Sequence, residues 1–317
     1  MLVYIMGRPH SGSTILDILL GNGREVSGVG QLVSDINLPL NPCGCGARIC
    51  DCPFWRQVRT RVEALGCDWE KDGQALVDQA HIRRFWSTWR AADDDPAQRR
   101  LAEISHIIAR AVTEVSGKRL MLDSSKEPTR GLLLMRYLPE ARFIRLVRDP
   151  RSAVASHYWR LQKGFFHFLR RTYPARPGGP LFLALAAASW TVGNLLHEFV
   201  ARRDPGRVVV VRYEDLRERP AEEIRRIGAA LGIDVSDVID KLVRGDELGV
   251  GHIIGGNEVR LEKGLRFDPG KQDRRPALPR WVGLMTVALC WPLMRRYGYP
   301  LRSPAPAPNP PGAEPAR

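Results

Sequence analysis

Leu2-Val3-Tyr4-Ile5-Met6-Gly7-Arg8-Pro9-His10-Ser11-Gly12-Ser13-Thr14, followed by Ile15-Leu16-Asp17-Ile18-Leu19-Leu20, is the stretch on which the reading of this chain turns. A short apolar, β-prone run meets a glycine-bounded loop, and the loop opens into a run that is apolar on nearly every side. Strand, loop and buried helix in that order make a phosphate-binding loop. Such a loop aims backbone N–H groups and a helix N-terminus at an anion. Gly7 and Gly12 let the backbone come close to a ligand, and Ser13 and Thr14 add hydroxyl donors. A plain Gly/Ser turn is the competing reading of the same letters.

The loop departs from the nucleotidase pattern at one position. Gly7, Gly12 and Thr14 have the spacing of Gly-x4-Gly-Lys-Ser/Thr, but Ser13 stands where the lysine belongs. That lysine reaches the β/γ-phosphates of a nucleotide. Its absence, and the lack of a clear strand-end Asp for magnesium, argue against an ATP- or GTP-cleaving kinase or NTPase. A phosphate-containing donor that does not require the lysine fits better.

The rest of the chain repeats the strand–helix alternation. Arg119-Leu120-Met121-Leu122, residues 142–147 and residues 207–211 read as further strands, and residues 26–30 as a short edge strand or turn. Helical spacing marks residues 54–65, 96–117, 129–138, 181–200, 219–231, 235–243 and 279–297. Alternation of this kind predicts an α/β fold with a mostly parallel central sheet. Residues 31–96 break the pattern and read as a helical insertion, with Trp69, Phe85, Trp86 and Trp89 either in the core or lining an acceptor pocket. Residues 1–302 form one domain in this reading, and the Pro/Ala-rich tail 303–317 is disordered.

Bulk properties narrow the partners. The 317 residues carry a net charge of +13, which favours anionic ligands. Only seven lysines contribute, so nearly all of the positive charge is arginine. No nucleic-acid-binding module or basic arm is visible. No signal peptide precedes the first strand, so the chain is expected in the cytoplasm. The apolar stretches 181–196 and 281–294 fall short of the roughly 20 residues of a membrane span. Arg280, Arg295 and Arg296 flank the second and leave room for peripheral membrane contact. The oligomeric state is not readable.

Four of the six cysteines, Cys43, Cys45, Cys50 and Cys52, fall within ten residues. Four thiolates this close can surround one zinc ion. Two Cys-x-Cys pairs are less usual for zinc than two Cys-x-x-Cys pairs, so reduced thiols or a local disulfide are the favoured readings.

Taken together, residues 2–299 resemble the PAPS-dependent sulfotransferases of bacteria, PAPS being 3′-phosphoadenosine 5′-phosphosulfate. Four segments carry the resemblance. Residues 7–14 look like the 5′-phosphosulfate loop, with Arg8, His10, Ser11, Gly12, Ser13 and Thr14 as donor ligands. Arg148-Asp149-Pro150-Arg151, continued to Ser156, is similar to the 3′-phosphate segment, which implies that Arg148 and Ser156 hold that phosphate. Tyr213-Glu214-Asp215-Leu216 resembles the strand end whose Tyr approaches the adenine. Asp123-Ser124-Ser125-Lys126 resembles the segment that brings a basic side chain, here Lys126, to the sulfuryl group. Lys263, Gly264 and Arg266 would then fall in a late basic loop over the 3′-phosphate.

The resemblance implies a three-layer P-loop-like fold and metal-independent sulfuryl transfer to a small-molecule, glycan or glycolipid hydroxyl. Two departures stand out. His10 occupies a position that is usually Lys or Arg, so Arg8 or Lys126 would supply the charge. Gln31, in Gly28-Val29-Gly30-Gln31, occupies the position of a glutamate that acts as general base, and an amide cannot take the proton. Either His10, Asp35 or Asp123 serves instead, or the acceptor needs little base help, as a phenol would, or the protein binds PAPS or its product without turnover.

Overall fold

The computed structural model describes residues 1–162, 179–262, 264–267 and 279–301. Lys263 and the tail from Ser303 lie outside the described residues. So does the whole of the segment 163–178.

Five strands form one sheet in the order β2-β3-β1-β4-β5, every pair parallel. They are β1 (Leu2–Gly7), β2 (Val26–Gly30), β3 (Leu120–Lys126), β4 (Arg142–Val147) and β5 (Val208–Arg212). The expected edge strand at 26–30 is the sheet margin.

β1 is buried along its whole length because both faces of the sheet are covered. Its alternate side chains divide between two cores. Leu2, Tyr4 and Met6 join Met121 and Phe143 in one. Val3 and Ile5 join Leu120, Leu122, Ile144, Leu146, Val209 and Val211 in the other.

The second face is covered by α1 (Ser13–Gly21), α11 (Pro220–Leu231) and α12 (Ser236–Arg244), numbering the helices in chain order. The first face is covered by α3 (Pro53–Ala64), α4 (Trp69–Ala80), α6 (Pro96–Ser116) and α7 (Pro128–Tyr137). The result is the expected three-layer α/β arrangement.

The helix ends follow local chemistry. The Asp95 carboxylate accepts from the N–H groups of Ala97 and Gln98, Pro96 takes the first position, and Gly117 ends α6 at φ 67°. Asp68 caps α4 in the same way.

The helices of the expected insertion, α3, α4 and the short α5 (Phe85–Arg90), are built into the first core. Trp55, Trp69 and Phe85 are buried there. Trp86 and Trp89 stay partly exposed and pack edge-on with Phe199. Most of the insertion's aromatics are therefore core.

The chain divides into two compact units. One comprises Met1–Arg148 and Val192–Arg274, and the other Asp149–Thr191 and Arg275–Arg317. The second has a core of its own, in which Val154 of α8 (Pro150–Gln162), Phe182, Leu183 and Trp190 of α9 (Pro180–Ala201), and Val282, Leu293 and Met294 of α13 (Arg280–Arg296) meet.

α9 runs to 22 residues, longer than the apolar stretch suggested, and by length and composition it could cross a membrane. With 44% of its most apolar window buried, it also serves as a core helix. α13 buries Val282, Cys290 and Leu293 but exposes Trp281, Leu284 and Trp291.

Candidate active site

In a parallel sheet all C-terminal strand ends lie along one edge. Here that edge carries Gly7, Gln31, Lys126, Arg148 and Tyr213. The chain leaves β1 toward β2 on one side and leaves β4 toward β5 on the other. The adjacent ends of β1 and β4 are therefore the topological switch point, where open α/β sheets place ligands.

The loop after β1 turns tightly, with Ser11 N–H donating to the Arg8 carbonyl at 3.1 Å. His10 adopts a left-handed conformation at φ 67° and Gly12 another at φ 94°. Gly12 is required twice over: by its backbone angle, and because a Cβ there would lie 2.2 Å from the Tyr213 ring. Gly12 is also the N-cap of α1 and offers no side chain to it, so the first N–H groups of α1 stay available. Among the described residues, Ser11 Oγ is buried without a hydrogen-bond partner. Thr14 Oγ1 accepts from Asn257 N–H at 3.2 Å.

Arg148 closes this loop from the end of β4. Its Nη1 donates to the His10 carbonyl at 2.9 Å, and its guanidinium lies 4.4 Å from the Tyr213 ring centroid. A planar cation on an aromatic face is stabilised there and keeps its remaining donors in a fixed plane.

Lys126 ends β3 beside Met6 of β1. Strand β3 carries Asp123, Ser124, Ser125 and Lys126 as a buried polar cluster at its C-terminal end. Lys126 is left-handed at φ 72°, and its Nζ donates to Ser124 O at 3.0 Å. With the Gln31 amide oriented to suit its neighbours, its oxygen accepts from Lys126 Nζ at 2.8 Å and from Gly256 N–H at 3.2 Å. Burial lowers the Lys126 ammonium to about 8, against the pull of Glu127, Asp17 and Asp123.

The fold does not support Asp123 as the base. It is wholly buried and paired with Arg130 at 2.9 Å, and it also accepts from Ser125 N–H. Asp35 adjoins Gln31: a Cβ on Gly255 would meet both, at 2.3 Å from Asp35 Oδ2 and 3.0 Å from Gln31 Cβ. Asn41 holds the other Asp35 oxygen at 2.5 Å.

The remaining candidates sit on other elements. Ser156 is buried on α8 in the second unit. Gly264 precedes a two-stranded antiparallel ribbon of β6 (Glu247–Leu248) and β7 (Leu265–Arg266), in which Arg266 pairs with Glu247 and is exposed. A Cβ on Gly264 would run into the Glu247 side chain. Residues 255–257 of the same late region approach Thr14 and Gln31.

Three functional neighbours escaped the sequence reading. Asp17, the lone charge in the apolar run of α1, is fully buried and accepts from Gly30 N–H at 3.1 Å. Burial pushes its carboxyl up to about 7, and Asp123 pushes the same way. Gly28 is glycine because a Cβ there would lie 2.1 Å from Asp17 Oδ1. His197 Nε2 lies 3.0 Å from the Gly7 carbonyl. Burial, then the charges of Arg8 and Arg145, lower His197 to about 3, so it is neutral and donates to that carbonyl. Within α9 His197 looks like any half-polar helix position, and only the packing identifies it.

An open helix N-terminus, a buried hydroxyl, a buried lysine and an arginine on an aromatic ring, gathered at the strand ends of a parallel sheet, mark an α/β protein of the P-loop-like class. The chain belongs to the sulfotransferase family, whose model matches residues 3–237. It is therefore a sulfuryl-transferring enzyme. No curated protein matches it.

Among solved structures it is similar to the sulfotransferase domain from the Synechococcus PCC 7002 olefin synthase, at 21% identity and TM-score 0.51, with 95% of each chain covered. It is also similar to the sulfotransferase domain from the curacin biosynthetic pathway, at 19% identity and TM-score 0.53, covering 95% of this chain and 98% of that one. The sulfotransferase STF9 from Mycobacterium avium matches at 14% identity and TM-score 0.50, covering 94% and 77%. These likenesses show the fold.

Proposed function

We propose that the protein takes its sulfuryl group from PAPS and transfers it to a hydroxyl of a small-molecule, glycan or glycolipid acceptor. The observation that carries this reading is the position of Arg148, held at once by the loop carbonyl of His10 and by the ring of Tyr213. A guanidinium there suits a second phosphate at the 3′ position, and the ring suits an adenine. The sequence pattern adds Ser156, Lys263, Gly264 and Arg266 as further donor ligands. The 5′-phosphosulfate falls to Arg8, Ser11, Gly12, Ser13 and Thr14 at the N-terminus of α1.

In the transfer, the acceptor oxygen forms a bond to sulfur as the bond from sulfur to the bridging oxygen of the donor breaks. Negative charge collects on the departing bisphosphate, and the Lys126 ammonium and the α1 N–H groups are the fixed charges to meet it. Gln31 orients Lys126 through its amide oxygen and takes no proton. The acceptor proton passes to His10 or Asp35, titratable groups in the loop and beside Gln31.

Calorimetric titration tests the donor. Adenosine 3′,5′-bisphosphate is expected to bind at least tenfold more tightly than adenosine 5′-phosphate without added metal, and Arg148→Ala is expected to abolish the difference. Equal, weak binding of both nucleotides, unchanged in the variant, refutes the PAPS assignment.

A further inference from the structure

Cys43, Cys45, Cys52 and His252 come together on the first unit, with all four ligand atoms within 4.8 Å of one another. The set differs from the four thiols the sequence suggested. Cys50 is exposed and outside it, and His252, two hundred residues further along the chain, takes its place. The thiols are free, and the 3.6 Å between Cys45 Sγ and Cys52 Sγ is far beyond a disulfide bond.

The distances match a tetrahedral ion. With metal–sulfur bonds near 2.3 Å and metal–nitrogen bonds near 2.0 Å, tetrahedral edges are about 3.8 Å between sulfurs and about 3.6 Å from sulfur to nitrogen. The structure has 3.6 Å for Cys45–Cys52, and 3.3 and 4.0 Å from His252 Nδ1 to Cys52 and Cys43.

The surroundings are built to hold these atoms. Cys43 N–H bonds to Ala47 O and Gly46 N–H to Cys43 O, closing a tight turn in which Gly46 has φ 90°. The His252 ring stacks on Phe54 at 4.7 Å and 8°, and its carbonyl accepts from Trp55 Nε1 at 2.9 Å. Ring and backbone are fixed with Nδ1 toward the thiols, the arrangement by which outer groups orient a histidine ligand.

We propose that Cys43, Cys45, Cys52 and His252 bind one zinc ion that clamps the segment after β2 to the loop of residues 252–257. Three thiolates and an imidazole in a closed tetrahedron select zinc and leave no open position, so the ion is structural. The clamp has a consequence for the active site. Just beyond His252, Ile254 N–H bonds to Val29 O and Gln31 N–H bonds to Ile254 O at 2.7 Å. Gly256 and Asn257 then reach Gln31 and Thr14. The ion thereby fixes the backbone that lines the phosphate loop, although it touches no reacting atom.

Metal analysis of protein purified under reducing conditions is expected to give about one zinc per chain. Cobalt exchanged into the site is expected to give the strong visible absorption of a tetrahedral thiolate complex. Cys45→Ser and His252→Ala are expected to lose the metal, while Cys50→Ser keeps it. Should those variants fail to fold, a thiol-blocking reagent on the unaltered protein is expected to release the one equivalent of zinc. Hydrogen exchange is expected to quicken at residues 253–257 on release.

Protein free of metal after refolding with zinc overturns the proposal. So does iron with sulfide in place of zinc, a Cys45–Cys52 disulfide in chains that never took metal, or metal retained by both His252→Ala and Cys45→Ser. These readouts are independent of nucleotide binding, so failure here leaves the donor assignment standing, and the reverse also holds.

Discussion

At the scale of single residues, the site turns on one charge held in an unusual place. Lys126 sits in a left-handed backbone conformation, buried, with its ammonium on the oxygens of Ser124 and Gln31. Such strain persists where the surroundings enforce it, and it directs the side chain at the strand edge. Burial lowers Lys126 to about 8, so the group is a cation below that pH and loses its charge above it. Affinity for adenosine 3′,5′-bisphosphate is therefore expected to weaken roughly tenfold between pH 7 and pH 9. Lys126→Arg, which stays charged throughout, is expected to bind with little change over that range. Calorimetry at several pH values checks this, and a wild-type affinity level across the window contradicts it. The fold also explains why Gln31 is tolerated opposite a lysine. An amide oxygen accepts from the ammonium without forming an ion pair, so the positive charge is not cancelled.

At the scale of elements, α1 and the end of β2 are joined through Asp17. Its carboxyl is raised to about 7, above the ordinary 3.8 of an exposed group. Between those two values the folded protein holds a proton that the unfolded chain has released. Stability is therefore expected to fall as pH rises from about 4 to 7 and to level off above 7. Asp17→Asn keeps an oxygen for Gly30 N–H and removes the titration. At pH 8 it is expected to be more stable than wild type by about 1–3 kcal/mol, with little difference at pH 4. Urea unfolding at the two pH values measures this, and a variant less stable at pH 8 would contradict it. Gly28 and Asp17 together explain the glycines of the Gly28-Val29-Gly30 run: one makes room for the carboxylate and the other turns the chain at φ 79° toward the zinc-clamped loop.

At the scale of the whole molecule, the chain carries a net charge of +13, which favours the polyanionic donor proposed above. Long-range attraction of this kind speeds encounter and is screened by salt. The association rate of the bisphosphate is expected to fall several-fold between 50 and 500 mM salt, while its dissociation rate, set by local contacts, changes less. Stopped-flow measurements separate the two, and an association rate indifferent to salt would assign the excess arginine to composition alone.

The sequence by itself determined the layered α/β architecture, the glycine-bounded loop between β1 and α1, and the residues at the strand ends. Strands buried on both faces read as unbroken apolar runs, and a loop turning tightly from strand into helix needs Gly12 at its left-handed backbone angle. Both are local constraints, visible within a dozen residues. Tertiary structure alone decided the rest. Asp123 is neutralised by Arg130 across β3 and α7, Gln31 receives Lys126 from a strand nearly a hundred residues away, and residues 255–257 come to lie beside Thr14. His252 completes a ligand set whose cysteines lie two hundred residues earlier. Each of these pairings joins parts of the chain that no periodicity relates. Their energies come from burial and charge that exist only once the sheet has brought its strand ends to one edge.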